Sequence, residues 1–191
     1  FSAKYATSNP DDLFSDPNID LIMICTRHNL HGDLVMRGLH AGKHIFVEKP
    51  LCTKKEELQK IRNFFINNKK PPLLMVGFNR RFSPHALEIK KQLKTSNNPL
   101  IINYQMNAGY LPVDHWVYSE DGGGRIIGEA CHIFDLFSYF IESPVSELTS
   151  SVLGGKRDIL GAEDICITVK YEDGSLGVLN YFSKGSANLS K

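Results

Sequence analysis

Two short apolar runs separated by one helical pattern constrain the fold of this chain more than any other feature. The first run extends from Asp20 to Thr26 and the second from His44 to Glu48. Between them, residues 29–42 carry apolar side chains at helical spacing and end on Gly42, a residue type that commonly stops a helix. Continuous apolar runs are typical of strands buried on both faces of a parallel sheet. The pattern predicts a β-α-β unit with a right-handed crossover.

The same alternation continues along the chain. A helical pattern begins at Thr53, and residues 73–77 form a third apolar run. Regular alternation of this kind predicts a doubly wound α/β layer with a parallel sheet.

The pattern changes after residue 77, which predicts a second domain over residues 78–191. A polar helix (84–94) and a strand (100–106) are followed by a glycine run and a very apolar helix (126–141). Two long strands then end in a hairpin, whose turn is indicated by Tyr-Glu-Asp-Gly-Ser from residue 171. We expect an α/β domain with an open, mainly antiparallel sheet.

Composition excludes several classes of partner. The chain has 22 Lys and Arg against 21 Asp and Glu, so a net charge of +1 provides no field to hold nucleic acid or an anionic membrane. No segment approaches the roughly 18 consecutive apolar residues of a membrane span.

The cysteines lie far apart, with no C-x-x-C pair, which favours free thiols in the cytoplasm over disulfides or a metal site. They are Cys25, Cys52, Cys131 and Cys166.

Polar residues follow two of the predicted parallel strands. The first strand ends in Thr26-Arg-His-Asn29, with His31 soon after, and the second ends in Glu48-Lys49-Pro50. Ligands of doubly wound sheets bind beyond the carboxyl ends of the strands. In an apolar cleft the Lys49 ammonium would lose hydration, which lowers a lysine pKa toward the range of proton transfer. The alternative is a surface lysine, and the polar end of the neighbouring strand favours function.

A second candidate site lies on the apolar helix. Glu129, His132 and Asp135 recur at intervals of three and are therefore expected to share one face. Burying such groups is costly unless they pair with one another or with a ligand, so we expect a cleft, with His132 as its acid or base. Trp116 precedes the glycine run, and for it core packing and a substrate wall are equally open interpretations.

Four motifs occur in an order that resembles the Gfo/Idh/MocA oxidoreductase family. They are Thr26-x-x-Asn29-x-His31, Glu48-Lys49-Pro50, the segment Gly-Phe-Asn-Arg-Arg-Phe-Ser-Pro over 77–84, and Gly122-Gly-Gly with His132-x-x-Asp135. Residues 26–31, 107–110, 114–117 and 122–129 resemble, more narrowly, the bacterial bi-domain oxidoreductases, in which a zinc-alcohol-dehydrogenase-like portion precedes this module.

The resemblance implies hydride transfer between NAD or NADP and a hydroxyl of a sugar, nucleotide sugar or cyclitol. It implies a partial NAD(P)-binding Rossmann domain over residues 1–77. Residues 78–191 would then form part of a domain that binds a carbohydrate-like substrate and whose open sheet mediates homo-oligomerisation.

Roles for individual residues follow from the same resemblance. Lys49 would hydrogen-bond the reacting oxygen and assist proton transfer, and His132 would act as acid or base or orient the substrate. The implied cofactor contacts are Thr26, Arg27, Asn29, His31, Glu48, Lys49 and Arg80. The implied substrate contacts are His115, Trp116 and Asp135.

The family often has an Asp four residues before this histidine, where the chain has Gly128. Either the adjacent Glu129 substitutes as a catalytic acid, or that role is lost. The loss would suit a ligand-sensing regulatory protein on the same fold. An NAD-assisted glycoside lyase or hydrolase is a further alternative.

A dinucleotide site also requires a strand that runs into G-x-G-x-x-G, and no such motif precedes Asp20. We therefore expect a fragment that begins after the phosphate-binding half of the Rossmann domain, and that also lacks the later sheet strands of the second domain.

The absence of a G-x-G-x-x-G motif leads to a prediction about NAD binding by this 191-residue chain. Without backbone amides to hold the pyrophosphate, the chain is expected to bind NAD weakly and to be nearly inactive. Isothermal titration calorimetry of the chain with NAD tests this, and tight binding would contradict it.

Overall fold

Three parallel strands form the sheet of the first of two units into which the chain divides, Phe1–Gly77 and Phe78–Lys191. The computed structural model describes residues 3–95, 98–154 and 163–185. Strands β1 (Leu21–Ile24), β2 (His44–Val47) and β3 (Leu74–Val76) lie in the order β1-β2-β3. The helices of this unit are α1 (Asp11–Ser15), α2 (His31–His40) and α3 (Lys55–Asn67). The predicted parallel β-α-β architecture is confirmed.

The first sheet is covered on only one face by the described residues. Ile22, Ile24, Ile45 and Val47 form a core with Val35 and Leu39 of α2 and Ile61 of α3. On the opposite face Met23 is 64% exposed and Met75 is 47% exposed. The expectation that the strands are buried on both faces is therefore wrong for this structure. Successive right-handed crossovers between neighbouring strands place both helices on the same side.

Four strands form the sheet of the second unit. They are β4 (Ile101–Asn107), β5 (Val145–Val152), β6 (Ile165–Tyr171) and β7 (Leu176–Phe182), in the order β4-β7-β6-β5. Only β4 and β7 are parallel, so the prediction of a mainly antiparallel sheet is confirmed. The predicted hairpin joins β6 to β7, and Gly174 takes the positive φ of 87° that its turn requires.

The sequence pattern missed β5. Its residues, Val-Ser-Glu-Leu-Thr-Ser-Ser-Val, are mostly exposed and lack the alternation of apolar and polar side chains that marks a half-buried strand. The strand exists because its backbone pairs along the whole of β6. Tertiary pairing therefore determines this element.

Two helices accompany the second sheet. Helix α4 (Pro84–Leu93) begins where the Ser83 hydroxyl accepts a hydrogen bond from the Ala86 amide at 3.2 Å. Helix α5 (Cys131–Ile141) follows directly on a π-helical turn, Ile126–Ala130. The predicted single helix over 126–141 therefore has a wide first turn.

Helix α5 packs closely against the second sheet. Phe137 is fully buried in the core that this helix forms with β6 and β7. A Cβ atom at Gly177 of β7 would lie 2.5 Å from Phe137 Cδ2, so only glycine allows the ring this close to the strand. Across the described residues, none of the helices combines the length and apolar character that a membrane span needs.

We expect Gly177→Ala to lower the free energy of unfolding by about 1–3 kcal/mol, because the new methyl group overlaps Phe137. Urea denaturation measures the change. In the double variant with Phe137→Leu, the shorter side chain leaves room for the methyl group, so the two losses should be less than additive. Strict additivity would show that the contact is not the cause.

Candidate active site

The first group of predicted site residues lies where β1 and β2 end side by side. Ile24 pairs with Val47, and the Glu48 amide donates to the Ile24 carbonyl at 2.9 Å. Beyond this pair the chain continues into Thr26 on one strand and Lys49 on the other. Thr26 is exposed and Lys49 is half-buried. The parallel pairing therefore brings these two predicted residues to one edge of the sheet.

His31 connects the two strand ends from the interior. Its side chain is fully buried, with Nδ1 2.7 Å from the Pro50 carbonyl oxygen and Nε2 3.1 Å from that of Thr26. The Lys49–Pro50 peptide bond is cis. Both ring nitrogens of His31 therefore face backbone carbonyl groups.

Glu48 lies over the end of the third strand. A Cβ atom at Gly77 would come within 3.2 Å of both Glu48 carboxylate oxygens and of the Phe46 ring. The glycine therefore provides the space that this carboxylate occupies. The two other predicted cofactor contacts here are Arg27, which is exposed, and Asn29, which is half-buried.

The groups at this edge fit one part of a dinucleotide. Hydroxyl, amide, ammonium and carboxylate groups from Thr26, Asn29, Lys49 and Glu48 suit the hydroxyls of a ribose and the carboxamide of a nicotinamide. Residues 3–77 contain no G-x-G-x-x-G turn that would hold a pyrophosphate. The fit therefore extends to the nicotinamide and ribose portion.

In the second unit, Glu129 belongs to a hydrogen-bonded network around a buried arginine. Arg125 is 1% exposed and donates to the carbonyls of Ala108 and Gly109 at 2.8 and 2.7 Å. Glu129 Oε2 accepts from Arg125 at 3.2 Å and from the Tyr181 hydroxyl at 2.6 Å. Burial and the Glu129 carboxylate raise the pKa of Tyr181, which keeps this phenol a hydrogen-bond donor.

Asp135 pairs with an arginine from another turn. Arg81 Nε donates to Asp135 Oδ2 at 2.9 Å, and a second guanidinium nitrogen donates to Oδ1. The Asp135 side chain is 7% exposed, and its hydrogen bond raises the pKa of Arg81. The preceding residue, Arg80, donates to the Tyr104 hydroxyl on β4 at 3.1 Å.

His132 has surroundings different from those of the two carboxylates. It is 7% exposed, and its ring lies edge-on to Phe78, with 6.1 Å between the ring centroids. Glu129 thus contacts Arg125 and Tyr181, and Asp135 contacts Arg81. The expectation that Glu129, His132 and Asp135 share one face stays a prediction.

The remaining predicted residues lie in the loop before the glycine run. His115 Nδ1 accepts from the Val117 amide at 3.3 Å, and the His115 and Trp116 ring centroids are 5.9 Å apart. Both side chains are half-buried. Gly122 allows a close approach, since a Cβ there would lie 2.4 Å from the Val117 backbone. Gly122 therefore allows the glycine run to pack against the backbone of the preceding loop.

Sequence reasoning missed Arg81 and Arg125. Each anchors a predicted site carboxylate, and each stands in a segment that the sequence already marked, the Asn-Arg-Arg-Phe motif and the glycine run. A charged residue opening a very apolar helix was the available signal for Arg125. Among the described residues, no cluster of three His, Cys, Asp or Glu side chains could hold a metal ion.

Comparison with known proteins relates the first unit to a known family. Residues 1–78 match the Gfo/Idh/MocA model, described as an oxidoreductase family with an NAD-binding Rossmann fold. This match supports the prediction of NAD or NADP as the cofactor.

Similarity extends over both units. The chain is 30% identical over 188 residues to the uncharacterized oxidoreductase YrbE of Bacillus subtilis, which covers 93% of this chain and 52% of the relative. It is 27% identical over 185 residues to the myo-inositol 2-dehydrogenase of Thermotoga maritima, covering 92% of this chain and 53% of that enzyme. The chain therefore spans about half the length of these curated relatives.

A solved structure supports the fold. Levoglucosan dehydrogenase in complex with NADH and levoglucosan superposes with a TM-score of 0.80, at 21% identity, over 97% of this chain and 53% of that one. The predicted fold class, a parallel Rossmann-type sheet followed by an α/β domain, is confirmed.

The network around Arg125 makes a prediction about Glu129. Glu129→Gln is expected to lower the free energy of unfolding by roughly 1–3 kcal/mol, because the buried guanidinium loses its negatively charged partner. Glu120→Gln, at an exposed loop position, is the matched control and should change stability by less than about 0.5 kcal/mol. Urea denaturation compares the two. Equal, small effects would contradict a structural role for Glu129.

Proposed function

We propose that this chain is part of an NAD(P)-dependent dehydrogenase that oxidises a secondary hydroxyl of a cyclitol or sugar. The observation that carries the proposal is the position of Lys49, half-buried at the carboxyl end of β2 and next to the end of β1. In doubly wound sheets this edge is where ligands bind. The Gfo/Idh/MocA match and the named dehydrogenase relative support it.

Lys49 carries the proposed chemistry of the first unit. Its ammonium donates a hydrogen bond to the hydroxyl oxygen of the substrate and stabilises the negative charge that develops as the proton leaves. Thr26, Asn29 and Glu48 would hold the nicotinamide and ribose. NAD(P)⁺ held there would supply the acceptor for the hydride of the carbon that bears the hydroxyl.

His132 is the proposed acid or base of the second unit. An imidazole near neutrality can take up the hydroxyl proton during oxidation and return it during reduction. Glu129 fits this role less well, because its Oε2 already accepts from Arg125 and Tyr181. We therefore propose that Glu129 serves the structure of the second unit and does not replace the missing Asp at Gly128.

The substrate class and the subgroup belong to the same proposal. The relative named as a myo-inositol 2-dehydrogenase supports a polyhydroxylated ring as substrate. The segment 122–129 resembles the bi-domain oxidoreductases, and this resemblance supports membership of the subgroup.

Assembly and location complete the proposal. The face of the second sheet turned away from α5 carries half-buried side chains such as Thr168, Val178 and Asn180, which suits contact with a second copy of the chain. The four cysteines are free thiols, which supports a reducing, cytoplasmic location.

NADH formation tests the activity directly. The full-length protein that contains this sequence is incubated with NAD or NADP and a panel of inositols, sugars and nucleotide sugars, and absorbance at 340 nm is followed. Oxidation of one polyol class supports the proposal. Cofactor binding without reduction by any substrate would favour the regulatory alternative, and product formation without net NADH would favour a lyase or hydrolase.

Lys49→Ala is expected to lower kcat about 10²- to 10⁴-fold, because the transition state loses the ammonium group that hydrogen-bonds the reacting oxygen and assists proton transfer. The dissociation constant of NADH, measured by calorimetry, should stay close to that of the wild type, because Thr26, Asn29 and Glu48 would still hold the nicotinamide and ribose. Lys55→Ala, an exposed lysine at the start of α3, is the matched control and should leave both quantities unchanged. Unchanged turnover in Lys49→Ala would remove this residue from the mechanism.

A further inference from the structure

The burial of His31 conflicts with its predicted role as a cofactor contact. Its relative exposure is 0%, so no atom of the residue is open to a ligand of the first unit. Its ring nitrogens instead approach the carbonyl of Pro50, the residue after Lys49, and the carbonyl of Thr26, two residues beyond the end of β1. The role of His31 must therefore act through these backbone groups.

Each of the two contacts requires the ring to donate a hydrogen bond. Carbonyl oxygens accept hydrogen bonds and cannot donate, so each contact requires a proton on the nitrogen concerned. A neutral imidazole carries a proton on one nitrogen only. The Pro50 contact, at 2.7 Å, is shorter than the Thr26 contact, at 3.1 Å, which favours the proton on Nδ1.

A bond to the Pro50 carbonyl acts on Lys49 through the backbone. Proline already restricts its own φ, and the buried hydrogen bond restrains the carbonyl on its other side. Two hydrogen bonds then restrain the backbone on either side of Lys49. The Glu48 amide, before it, bonds to β1, and the Pro50 carbonyl, after it, bonds to His31. Small displacements of a catalytic group are costly, since a shift of about 1 Å can reduce turnover about 10²-fold.

We propose that His31 is a positioning residue, which donates through Nδ1 to the Pro50 carbonyl and thereby holds Lys49 at the strand edge beside Thr26. The proposal rests on the proposed function only in assigning Lys49 a role in turnover. The hydrogen bond itself and the position of Lys49 are properties of the chain alone.

Two amide substitutions separate the two contacts. Asparagine places its side-chain N–H near the position of Nδ1, and glutamine places its N–H near that of Nε2. His31→Phe removes both ring nitrogens and is expected to lower kcat about 10- to 100-fold, with little change in the dissociation constant of NADH. His31→Asn should recover most of kcat, whereas His31→Gln should not.

The matched control is His40→Asn, an exposed histidine at the other end of the same helix, which should leave kcat unchanged. Wild-type kcat in His31→Phe, or rescue by Gln but not by Asn, would overturn the proposal. Because the Asn and Gln variants are compared with each other, a folding defect in the Phe variant does not decide the outcome.

Nuclear magnetic resonance supplies readouts that do not depend on turnover. In ¹⁵N-labelled full-length protein, His31 should show an Nδ1–H resonance protected from exchange with solvent, assigned by its loss in His31→Asn. After reductive methylation with ¹³C-formaldehyde, the Lys49 methyl resonance should shift in His31→Phe and return in His31→Asn.

Each result has a defined consequence. The proposal is overturned if the protected proton is on Nε2 alone. It is also overturned if the chemical shift of the Lys49 methyl resonance is the same in the wild type and in His31→Phe. If the wild-type protein oxidises no hydroxyl substrate, the proposed function fails, while the two resonances still decide whether His31 positions Lys49.

Discussion

The structure depends on how the chain satisfies the polar groups that it buries beside two apolar sheets. Moving an unpaired polar group out of water costs several kcal/mol, and an unpaired charge costs more. His31 faces two backbone carbonyls, Arg125 two carbonyls and one carboxylate, and Asp135 a guanidinium. These contacts join strand ends, a loop and helix turns that apolar packing alone would leave free to shift.

The buried hydrogen-bonded residues differ from the residues at the edge of the first sheet in what chemistry they can perform. A residue whose polar atoms already bind partners inside the protein is a poor acid or base. Glu129 accepts hydrogen bonds from Arg125 and Tyr181, and His31 is fully buried, whereas Lys49 and Thr26 stand at the edge of the sheet. The chemistry is therefore proposed at the strand edge, and the buried groups are proposed to support it.

Much of the fold could be predicted from local patterns. Apolar runs of strand length, a glycine after α2 and a Tyr-Glu-Asp-Gly-Ser turn each reflect short-range physics, and the structure confirms the elements that they mark. Strand β5 escaped prediction because its side chains are mainly polar and its stability comes from backbone pairing with a distant strand. The open face of the first sheet escaped for a similar reason, since helix placement follows strand order and crossover hand.

The sequence by itself determined most of the strands and helices, the motifs at the ends of β1 and β2, and the family resemblance, because these depend on residue types at short spacing. Tertiary structure alone decided which of the marked residues face outward and which are locked in place. The parallel pairing of β1 and β2 brought His31 against the backbone carbonyls of Thr26 and Pro50. Such contacts join residues far apart in the chain, so spacing along the sequence carries no record of them.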